Sequence, residues 1–543
     1  MARSSLFARV HRIARGPARS GPSRRDVLKS LVGTAALLPL VGAAGCGDNS
    51  GGNTIAVIGG GIAGMTCAHF LGLAGVHAEI YEASMRIGGR QFTSRGQLAD
   101  DQICELGGEL VDSDHAVIPM LVESYGLTLD DLVDATPGLA QDSFFFDGAL
   151  VSDAALAAAF APVAAQMQTA LTAMANDDAE YARIDALSIP EWLAGDARLV
   201  PTDLVRRVLE LAYLEEFGLE VEQPSAWNLI TLIDSATTEP FHVFGDSDER
   251  FHIHERSDAI ATAMATELGD QVHLDHALTK VTEAEGMFEL TFVTSAGTST
   301  TTVAHVVYAL PFTKLREVDL AGSALTAGKR TIIGELGYGT NAKLMLQFQT
   351  RPWETNQQSA GSMITDVGAL QTTWASSRGQ AGTKGVLTNF VGGERGLAIG
   401  DGSTEIQAAT VLPWIETIFP GATTEYIASS AIRQHWPSYE FTKGSYASYL
   451  KGQWSFLGLE GAHEGNQHFC GEHCSEDFQG YMEGGAETGA LVAAEILDDL
   501  HIDPPAALAA IVTVLTAAKR RPRGSYHAGF GQQLRANQVR RHR

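Results

Sequence analysis

The sequence predicts an α/β fold, and three observations within residues 54–82 support this prediction. Residues 55–58 form a short apolar run, typical of a strand buried on both faces of a parallel sheet. Glycines at G-x-G-x-x-G spacing follow directly, and residues 65–73 then have the pattern of a helix. A second strand, residues 77–81, ends at Glu82, whose carboxylate can accept hydrogen bonds from a ribose diol. This order of elements predicts a Rossmann-like unit that binds a dinucleotide.

The glycines of this unit have separate physical roles. Gly59 permits a tight turn, Gly61 lets a pyrophosphate approach the backbone, and Gly64 lets the helix pack closely on the strand. Ile62 and Ala63 lie at the helix start, where free backbone N–H groups face the phosphates. The motif by itself does not separate NAD from FAD.

The residues that follow favour FAD. Residues 82–90 read EASMRIGGR, which resembles the second glycine motif of the flavin-containing amine oxidases, the family of monoamine, polyamine and L-amino acid oxidases. In that family the glycine pair and its arginines lie along the FAD pyrophosphate. The resemblance implies that Glu82, Ala83, Arg86, Gly89 and Arg90 bind the cofactor. The alternative is a basic surface turn.

A third glycine motif, residues 105–111, reads ELGGELV and resembles the family segment that passes near the flavin and opens the substrate domain. The resemblance places Gly107, Gly108 and Glu109 at the cofactor. Many L-amino acid oxidases carry an arginine just after this glycine pair to hold the substrate carboxylate. Glu109 and Leu110 stand there instead, which disfavours an amino-acid substrate.

Later segments complete the resemblance. Residues 272–292 read as two strands, and the family pattern brings the backbone at Val281 to the adenine. Residues 436–449, WPSYEFTKGSYASY, resemble the family segment that contributes Trp436 to the cofactor site. Some monoamine oxidases have a flavin-linked cysteine directly before the tyrosine that corresponds to Tyr446. Ser445 occupies that position here, so we expect FAD to be bound noncovalently.

Residues 469–486, FCGEHCSEDFQGYMEGGA, resemble the C-terminal FAD motif of the family. Gly471 and Glu472 are expected near the phosphate and ribityl groups. Tyr481 and Met482 are expected to start a helix beneath the flavin ring, where a helix N-terminus stabilises negative charge on the reduced flavin.

The resemblance implies two domains of discontinuous sequence. A Rossmann-like FAD-binding domain comprises residues 53–112, 245–312 and 435–500. A substrate domain of mixed sheet and helices comprises residues 113–244 and 313–434. Residues 503–543 contain proline and alanine and then become basic, which predicts a largely disordered tail.

Three residues are candidates for catalysis. Residues 342–348 alternate as a strand, and the flanking sequence resembles the family segment whose lysine holds a water against flavin N5. We assign that role to Lys343; the alternative is an edge-strand lysine. Tyr446 and Tyr481 match the two family positions whose rings flank the amine path. The alternative for each is a core tyrosine with a satisfied hydroxyl.

Charge is distributed unevenly along the chain. The formal net charge of the 543 residues is −26; residues 1–45 carry +7 and residues 519–543 carry +8, so the remainder carries −41. Such a body disfavours nucleic acid and attracts small cations, including protonated amines. The alternative is a charge that serves solubility. The length and the 45% of hydrophobic residues fit two or three domains.

Residues 1–45 resemble a twin-arginine signal peptide. Arg24 and Arg25 precede an apolar region, residues 31–45, that is too short to span a bilayer comfortably. Residues 43–46, AAGC, resemble a lipoprotein cleavage box, so Cys46 is either a lipid anchor or lies beside a plain cleavage site. We therefore expect export to the periplasm or cell envelope, with possible membrane attachment through Cys46. The oligomeric state is not predicted.

Cysteine usage predicts neither a disulfide framework nor a metal site. The strongest cluster places two histidines and two cysteines within seven residues, without a second ligand pair at metal-site spacing: His468, Cys470, His473 and Cys474.

Together these features predict an FAD-dependent amine oxidase. A small-molecule amine would lose hydride from its α-carbon to flavin N5, giving an imine that hydrolyses to an aldehyde or ketone, and O2 would be reduced to H2O2. The alternatives are an L-amino acid oxidase, a flavin desaturase, and a non-enzymatic flavin-binding or electron-carrier protein.

Overall fold

The computed structural model describes residues 54–517, except residues 175, 234, 236, 238 and 239. The predicted signal peptide and Cys46 therefore lie outside the described residues. The described strands are, in chain order, β1 Ile55–Ile58, β2 Glu79–Tyr81, β3 Thr93–Ser94, β4 Cys104–Glu105, β5 Leu110–Val111, β6 Leu129–Asp131, β7 Phe144–Phe146, β8 Ala149–Val151, β9 Phe251–Ile253, β10 Val272–His273, β11 Ala277–Ala284, β12 Met287–Thr294, β13 Gly297–Val303, β14 His305–Tyr308, β15 Asp319–Gly322, β16 Ala342–Phe348, β17 Met363–Thr365, β18 Thr372–Ala375, β19 Gly385–Val391, β20 Ile432–His435 and β21 Gln467–Phe469.

The described α-helices are, in chain order, α1 Ile62–Leu73, α2 Val117–Ser124, α3 Leu132–Ala135, α4 Asp153–Met174, α5 Asp178–Asp185, α6 Ile189–Gly195, α7 Leu204–Phe217, α8 Ala226–Leu232, α9 Asp258–Leu268, α10 Phe312–Leu315, α11 Ala327–Glu335, α12 Pro352–Gln357, α13 Gly393–Ala398, α14 Thr404–Ile418, α15 Ala422–Glu425, α16 Met482–Asp499 and α17 Ala506–Ala517.

A five-stranded parallel sheet with the order β10-β2-β1-β14-β21 forms the first part of the fold. Its strands come from three separate stretches of sequence, because β14 pairs with β1 on one side and with β21 on the other. The residues of β1 are buried without alternation, as expected for a strand covered on both faces. The predicted α/β fold is confirmed.

Helices α1 and α16 cover this sheet and pack against each other at unusually short range. A Cβ at Gly489 of α16 would lie 2.2 Å from the Ala63 backbone oxygen, so only glycine permits this approach. The close contact brings the N-terminal end of α16 beside the N-terminal end of α1, where the glycine motif lies.

A mixed seven-stranded sheet, with the order β20-β16-β19-β18-β17-β7-β8, forms the second part. In β16, Leu344, Leu346 and Phe348 pack into one hydrophobic cluster, whereas Met345 packs into another with Leu98 and Leu106. The predicted alternation of this strand is confirmed. The face that carries Lys343 and Met345 is therefore turned toward residues 98–107, which lead into the third glycine motif.

Helices α4 to α8 form a layer beside this sheet, as the alanine- and leucine-rich sequence predicts. The longest of them, α4, is apolar and long enough to cross a membrane by composition. Its Phe160, Val163 and Met167 side chains are fully buried within the protein.

The prediction of a disordered tail from residue 503 is wrong for its first part. Residues Ala506–Ala517 form α17, which packs on α16 and buries Leu508, Ile511 and Leu515. These leucine and isoleucine residues recur at helical spacing and give the segment one apolar face, which the alanine and proline content obscured. Residues 518–543 lie outside the described part of the chain.

Candidate active site

A cavity of about 550 Å³ lies between the five-stranded and seven-stranded sheets. It is lined by most residues that the sequence singled out for cofactor binding: Gly59, Gly61, Ile62, Ala63, Glu82, Ala83, Arg86, Gly89, Arg90, Gly107, Gly108, Glu109, Trp436, Gly471, Glu472, Tyr481 and Met482. The candidate catalytic residues Lys343 and Tyr446 line the same cavity. Six separate stretches of sequence thus converge on one site.

Two of the predicted cofactor residues do not line the cavity. A Cβ at Gly64 would lie 2.1 Å from the Gly59 oxygen and 2.9 Å from Val57 Cγ1, so Gly64 serves the close packing of α1 on β1. The Val281 side chain is fully buried in the core, and the predicted contact of its backbone with the adenine stays a prediction. Ala277, Leu278 and Thr279 of the same strand line the cavity. The pairing register of β11 shifts between Leu278 and Lys280.

Glu82 is fixed at the carboxyl end of β2. Its Oε2 accepts a hydrogen bond of 2.8 Å from the backbone N–H of Gly60, and its Oε1 accepts one of 2.8 Å from Ser84 N. Each carboxylate oxygen can accept a further hydrogen bond. The geometry therefore suits a ligand that presents two hydroxyl groups at this position.

Arg90 and Glu472 form an ion pair of 2.8 Å that joins the second glycine motif to the C-terminal motif. Arg90 also donates to the Ser445 backbone oxygen at 2.8 Å, and Glu472 accepts from Gly480 N at 2.9 Å. Burial would raise the pKa of Glu472, but the positive charge of Arg90 and the hydrogen bonds that Glu472 accepts lower it. This ion pair holds three cofactor motifs in fixed relation.

Lys343 is buried, at 4% exposure, on a strand with neighbours on both sides. The edge-strand alternative is therefore wrong. Its ammonium donates to the backbone oxygens of Glu105 at 3.1 Å and Gly107 at 2.8 Å, and to Glu109 Oε2 at 3.0 Å. The same carboxylate oxygen accepts from Trp374 Nε1 at 3.1 Å. All three N–H groups of the ammonium thus have protein acceptors.

Glu109 is a buried carboxylate rather than a solvated one. Burial would raise its pKa, but the charges of Lys343 and His252 and the hydrogen bonds from Lys343 and Trp374 lower it. The lowered pKa favours the ionised form of Glu109 beside the Lys343 ammonium, inside the cavity wall.

The two candidate tyrosines are both held in place. The Tyr446 hydroxyl donates to the Glu216 backbone oxygen at 2.6 Å, at the end of α7. Tyr481 immediately precedes α16, and its ring meets the rings of His115 and Phe478 edge-on, with centroid distances of 5.1 and 6.0 Å. Tyr446 reaches the cavity from the segment 436–449, and Tyr481 reaches it from the C-terminal motif, residues 469–486.

Within residues 54–517, no cysteine lines the cavity near Ser445, so no thiol is placed to bond to a flavin there. The Ser445 hydroxyl donates to Asn341 Oδ1 at 2.6 Å. The cysteines of the described chain are buried away from the cavity lining: Cys67, Cys104, Cys470 and Cys474.

The cavity residues that sequence reasoning did not single out include two carboxylates and two aromatic rings beside the candidate catalytic residues' segments. Asp112 accepts hydrogen bonds from Ser247 Oγ at 2.8 Å and from Glu249 N at 2.9 Å, and both Asp112 and Glu249 line the cavity. Burial raises the pKa of Asp112 to about 6 and that of Glu249 to about 7. Trp374 and Phe390 also line the cavity, with ring centroids 5.3 Å apart.

Some of these residues could have been found from the sequence. Asp112 directly follows the third glycine motif and was open to detection by position. Glu249 has a φ of 41°, a left-handed conformation for a residue other than glycine, which no local pattern announces. Trp374 and Phe390 belong to the neighbouring strands β18 and β19 of the seven-stranded sheet, whose sequence carries no motif.

Comparison with known proteins agrees with this geometry. A family model described as flavin containing amine oxidoreductase matches residues 62–497. The chain is similar to a putative L-amino-acid oxidase, YobN, of Bacillus subtilis (strain 168), with 23% identity over 81% of this chain and 94% of the relative. It is also similar to a pseudooxynicotine dehydrogenase of Pseudomonas sp, with 24% identity over 81% of this chain and 85% of the relative.

Among solved structures, the chain is similar to the cyclohexylamine oxidase from Brevibacterium oxydans IH-35A. The TM-score is 0.71 at 18% sequence identity, and the match covers 83% of this chain and 100% of the solved chain. At this identity the likeness establishes a shared fold.

Proposed function

The chain belongs to the flavin-containing amine oxidoreductase family, and from that premise we propose that it oxidises a small-molecule amine with noncovalently bound FAD and O2. The observation that carries the proposal is the convergence of Lys343, Tyr446 and Tyr481 on the cavity that the glycine motifs line. The products would be an imine, hydrolysed to an aldehyde or ketone, and H2O2.

The residues present fit FAD. A Cβ at Gly89 would lie 3.2 Å from Gly61 Cα, so the two glycine motifs approach as closely as bare backbone allows. Arg90 and the N-terminus of α1 supply positive charge for a pyrophosphate, and Glu82 suits a ribose diol. Ser445 cannot form a thioether. When bound, FAD supplies the acceptor for hydride and passes the electrons to O2.

The protein would orient the amine. Aromatic rings attract a substrate's ammonium group by about 0.5–2 kcal/mol, according to desolvation. Tyr446 and Tyr481 would align the α-carbon of the substrate, and orientation of this kind lowers the barrier. Lys343 would assist flavin reoxidation with a water; holding that water requires one of its three present hydrogen bonds to open.

Asp112 and Glu249 support an amine over an amino acid. An amine must lose its ammonium proton before it releases hydride, and a carboxylate with a pKa near the operating pH is a suited acceptor. The same carboxylates would repel a substrate carboxylate. The arginines of the cavity lining, Arg86 and Arg90, both belong to the cofactor motif.

A panel of amines and L-amino acids separates this proposal from its rivals. We expect amines to bleach the flavin under anaerobic conditions and to yield one H2O2 per turnover in air. Bleaching by L-amino acids alone would identify an L-amino acid oxidase, and bleaching by neither class would favour a desaturase or a flavin-binding protein without turnover. Bleaching by amines without H2O2 in air would identify an acceptor other than O2.

We further propose export by the twin-arginine pathway to the periplasm or cell envelope, on the strength of the sequence alone, since residues 1–53 lie outside the described structure. Replacement of Arg24 and Arg25 by lysine should leave the protein in the cytoplasm. Metabolic labelling with a fatty acid tests Cys46: label that disappears in Cys46→Ser identifies a lipid anchor, and unlabelled exported protein excludes one.

A further inference from the structure

Three side chains meet at the end of the five-stranded sheet that is remote from the cavity motifs. His468 lies on the edge strand β21, His463 lies in the loop before that strand, and Glu495 lies in the last turns of α16. His468 also belongs to the run of two histidines and two cysteines, residues 468–474, for which the sequence predicted no metal site. His463 and Glu495 lie outside that run.

The atoms of this cluster are spaced as metal ligands are. Glu495 Oε1 lies 3.1 Å from His463 Nε2, and Glu495 Oε2 lies 3.1 Å from His468 Nδ1. One ligand atom from each residue lies within 4.8 Å of the other two. Zinc–nitrogen bonds of about 2.0–2.1 Å in a tetrahedral site place neighbouring ligand atoms about 3.3 Å apart. The two nitrogen–oxygen separations of 3.1 Å are close to that value.

Both histidines are oriented from behind. His463 Nδ1 lies 3.1 Å from the Gly465 backbone oxygen, and since a carbonyl oxygen only accepts, this nitrogen carries the proton. His468 Nε2 lies 3.2 Å from His305 Nδ1. Metal-binding histidines are usually held in this way, with the second ring nitrogen hydrogen-bonded to a fixed neighbour. His463 Nε2 and His468 Nδ1 are the ring nitrogens that face Glu495.

The contact between His463 and Glu495 needs positive charge between them. With its proton on Nδ1, the ring turns an Nε2 lone pair toward a carboxylate oxygen, and the two repel unless a proton or a metal ion lies between them. A divalent ion would serve both histidines at once. The side chains of His463 and Glu495 are 32% and 27% exposed, so a cation can reach the cluster from solvent.

We propose that His463, His468 and Glu495 bind one Zn²⁺ ion, which ties the C-terminal end of α16 to the edge of the five-stranded sheet. Two nitrogen ligands and one carboxylate are a donor set that zinc favours. Because the first turn of α16 lines the cavity, the ion stabilises an element of the active site from its far end. The proposal does not depend on which amine the enzyme oxidises.

The test uses tag-free, FAD-loaded protein that has been treated with a chelator and desalted. We expect calorimetric titration with ZnCl2 to give one site per chain, with heats that vary with the buffer because protons are released. Loss of a residue that only hydrogen-bonds to a metal ligand weakens metal binding by about 10–100-fold. His463→Ala and Glu495→Gln remove ligands themselves, so each should weaken zinc binding by more than that. Co²⁺ should give visible bands at longer wavelength than the flavin, as a direct report of tetrahedral coordination.

Two variants serve as matched controls. His77, Glu79 and His273 form a second histidine–carboxylate–histidine set at the opposite edge of the same sheet, but this described set does not reach the mutual ligand spacing of 4.8 Å. His77→Ala should therefore bind zinc as the wild type does. Asp499→Asn removes the exposed member of a competing set that shares His468, and should also leave binding unchanged.

The outcomes separate cleanly. Absence of a stoichiometric site in the wild type, or wild-type affinity in His463→Ala with a normal flavin spectrum, overturns the proposal. Loss of zinc in Asp499→Asn but not in His463→Ala would move the metal to the competing set and equally overturn it. Retained FAD content and far-ultraviolet circular dichroism exclude misfolding as the cause of a loss, and Glu495→Gln repeats the test at nearly constant side-chain size.

Discussion

The two ends of the active-site cavity are built on different principles. At the cofactor end, backbone groups and glycines set the shape, and the charged side chains there are tied to backbone atoms or to each other: Glu82, Arg90 and Glu472. At the other end, where we propose that the substrate binds, side chains from distant segments line the cavity: Lys343, Glu109, Asp112, Glu249, Tyr446 and Tyr481. The contrast implies that changes at the cofactor end alter FAD occupancy, whereas changes at the substrate end alter turnover with FAD still bound.

Lys343 would break this separation, because it joins both ends through Gly107 and Glu109. Lys343→Met leaves the Glu109 carboxylate buried without its cation. This should lower the free energy of unfolding by about 3–5 kcal/mol. We expect a lower denaturant midpoint together with slowed reoxidation of the flavin by O2, measured by stopped flow.

The double variant Lys343→Met/Glu109→Gln isolates the charge effect. Removal of both charges should recover most of the lost stability, while reoxidation stays slow. Unchanged stability in the single variant would show that the pair is weakly coupled, and unchanged reoxidation would remove Lys343 from the proposed chemistry.

Glu82 tests the cofactor end alone. Glu82→Ala removes charge-assisted hydrogen bonds worth about 1.5–3 kcal/mol. The free energy of FAD binding, measured in a dialysis titration, should weaken by that amount, and FAD occupancy should fall accordingly. The fraction of enzyme that retains FAD should turn over at the normal kcat. A reduced kcat per bound flavin would show that the two ends are not independent.

The tyrosine pair tests the substrate end alone. Tyr446→Leu and Tyr481→Leu should each lower kcat/KM for amines by the equivalent of about 0.5–2 kcal/mol, with FAD content intact. If the rings act as one unit, the double variant should lose less than the sum of the single losses. Tyr446→Phe is the matched control for the ring, since it deletes only the hydroxyl bonded to the Glu216 backbone. Full turnover in the double leucine variant would direct attention to substrates other than amines.

The smallest expected effect concerns pH. The ionised form of Glu249 accepts the ammonium proton in our proposal, so kcat/KM should rise with pH through an inflection near its pKa of about 7. Glu249→Gln should remove that inflection and leave the one that belongs to the free amine. Glu317→Gln is the control, because Glu317 lines the cavity but pairs with Lys314. An inflection that survives in Glu249→Gln would transfer the role to Asp112.

The same contrast explains what the sequence could predict. Glycine motifs act over a few residues, so the positions of Gly59, Gly61 and Glu82 followed from local spacing and chemistry. The prediction for Val281 depends on the family pattern alone, because spacing along a strand does not reveal a register shift such as the one in β11 between Leu278 and Lys280. The helix over Ala506–Ala517 was missed because its alanines masked an apolar face that only α16 explains.

At the substrate end, prediction depended on contacts between distant residues. The strand parity of β16 located Lys343 on the correct face, yet its partner Glu109 lies 234 positions away. Glu249 reaches the cavity through a left-handed backbone in an irregular segment, and Trp374 through a strand that reads as core. No local pattern carries that information.

The pairing of β14 with both β1 and β21 also has a consequence for biogenesis. The registers join residue 55 to residue 305 and residue 306 to residue 467, so the sheet closes only after more than four hundred residues have left the ribosome. Contacts of such long range fold slowly and leave unpaired strand edges exposed in the meantime. A nascent chain that ends before β21 has an open edge on β14 and lacks α16. We therefore expect newly made protein to depend on chaperones until synthesis is complete, and to acquire its cofactor after translation rather than during it.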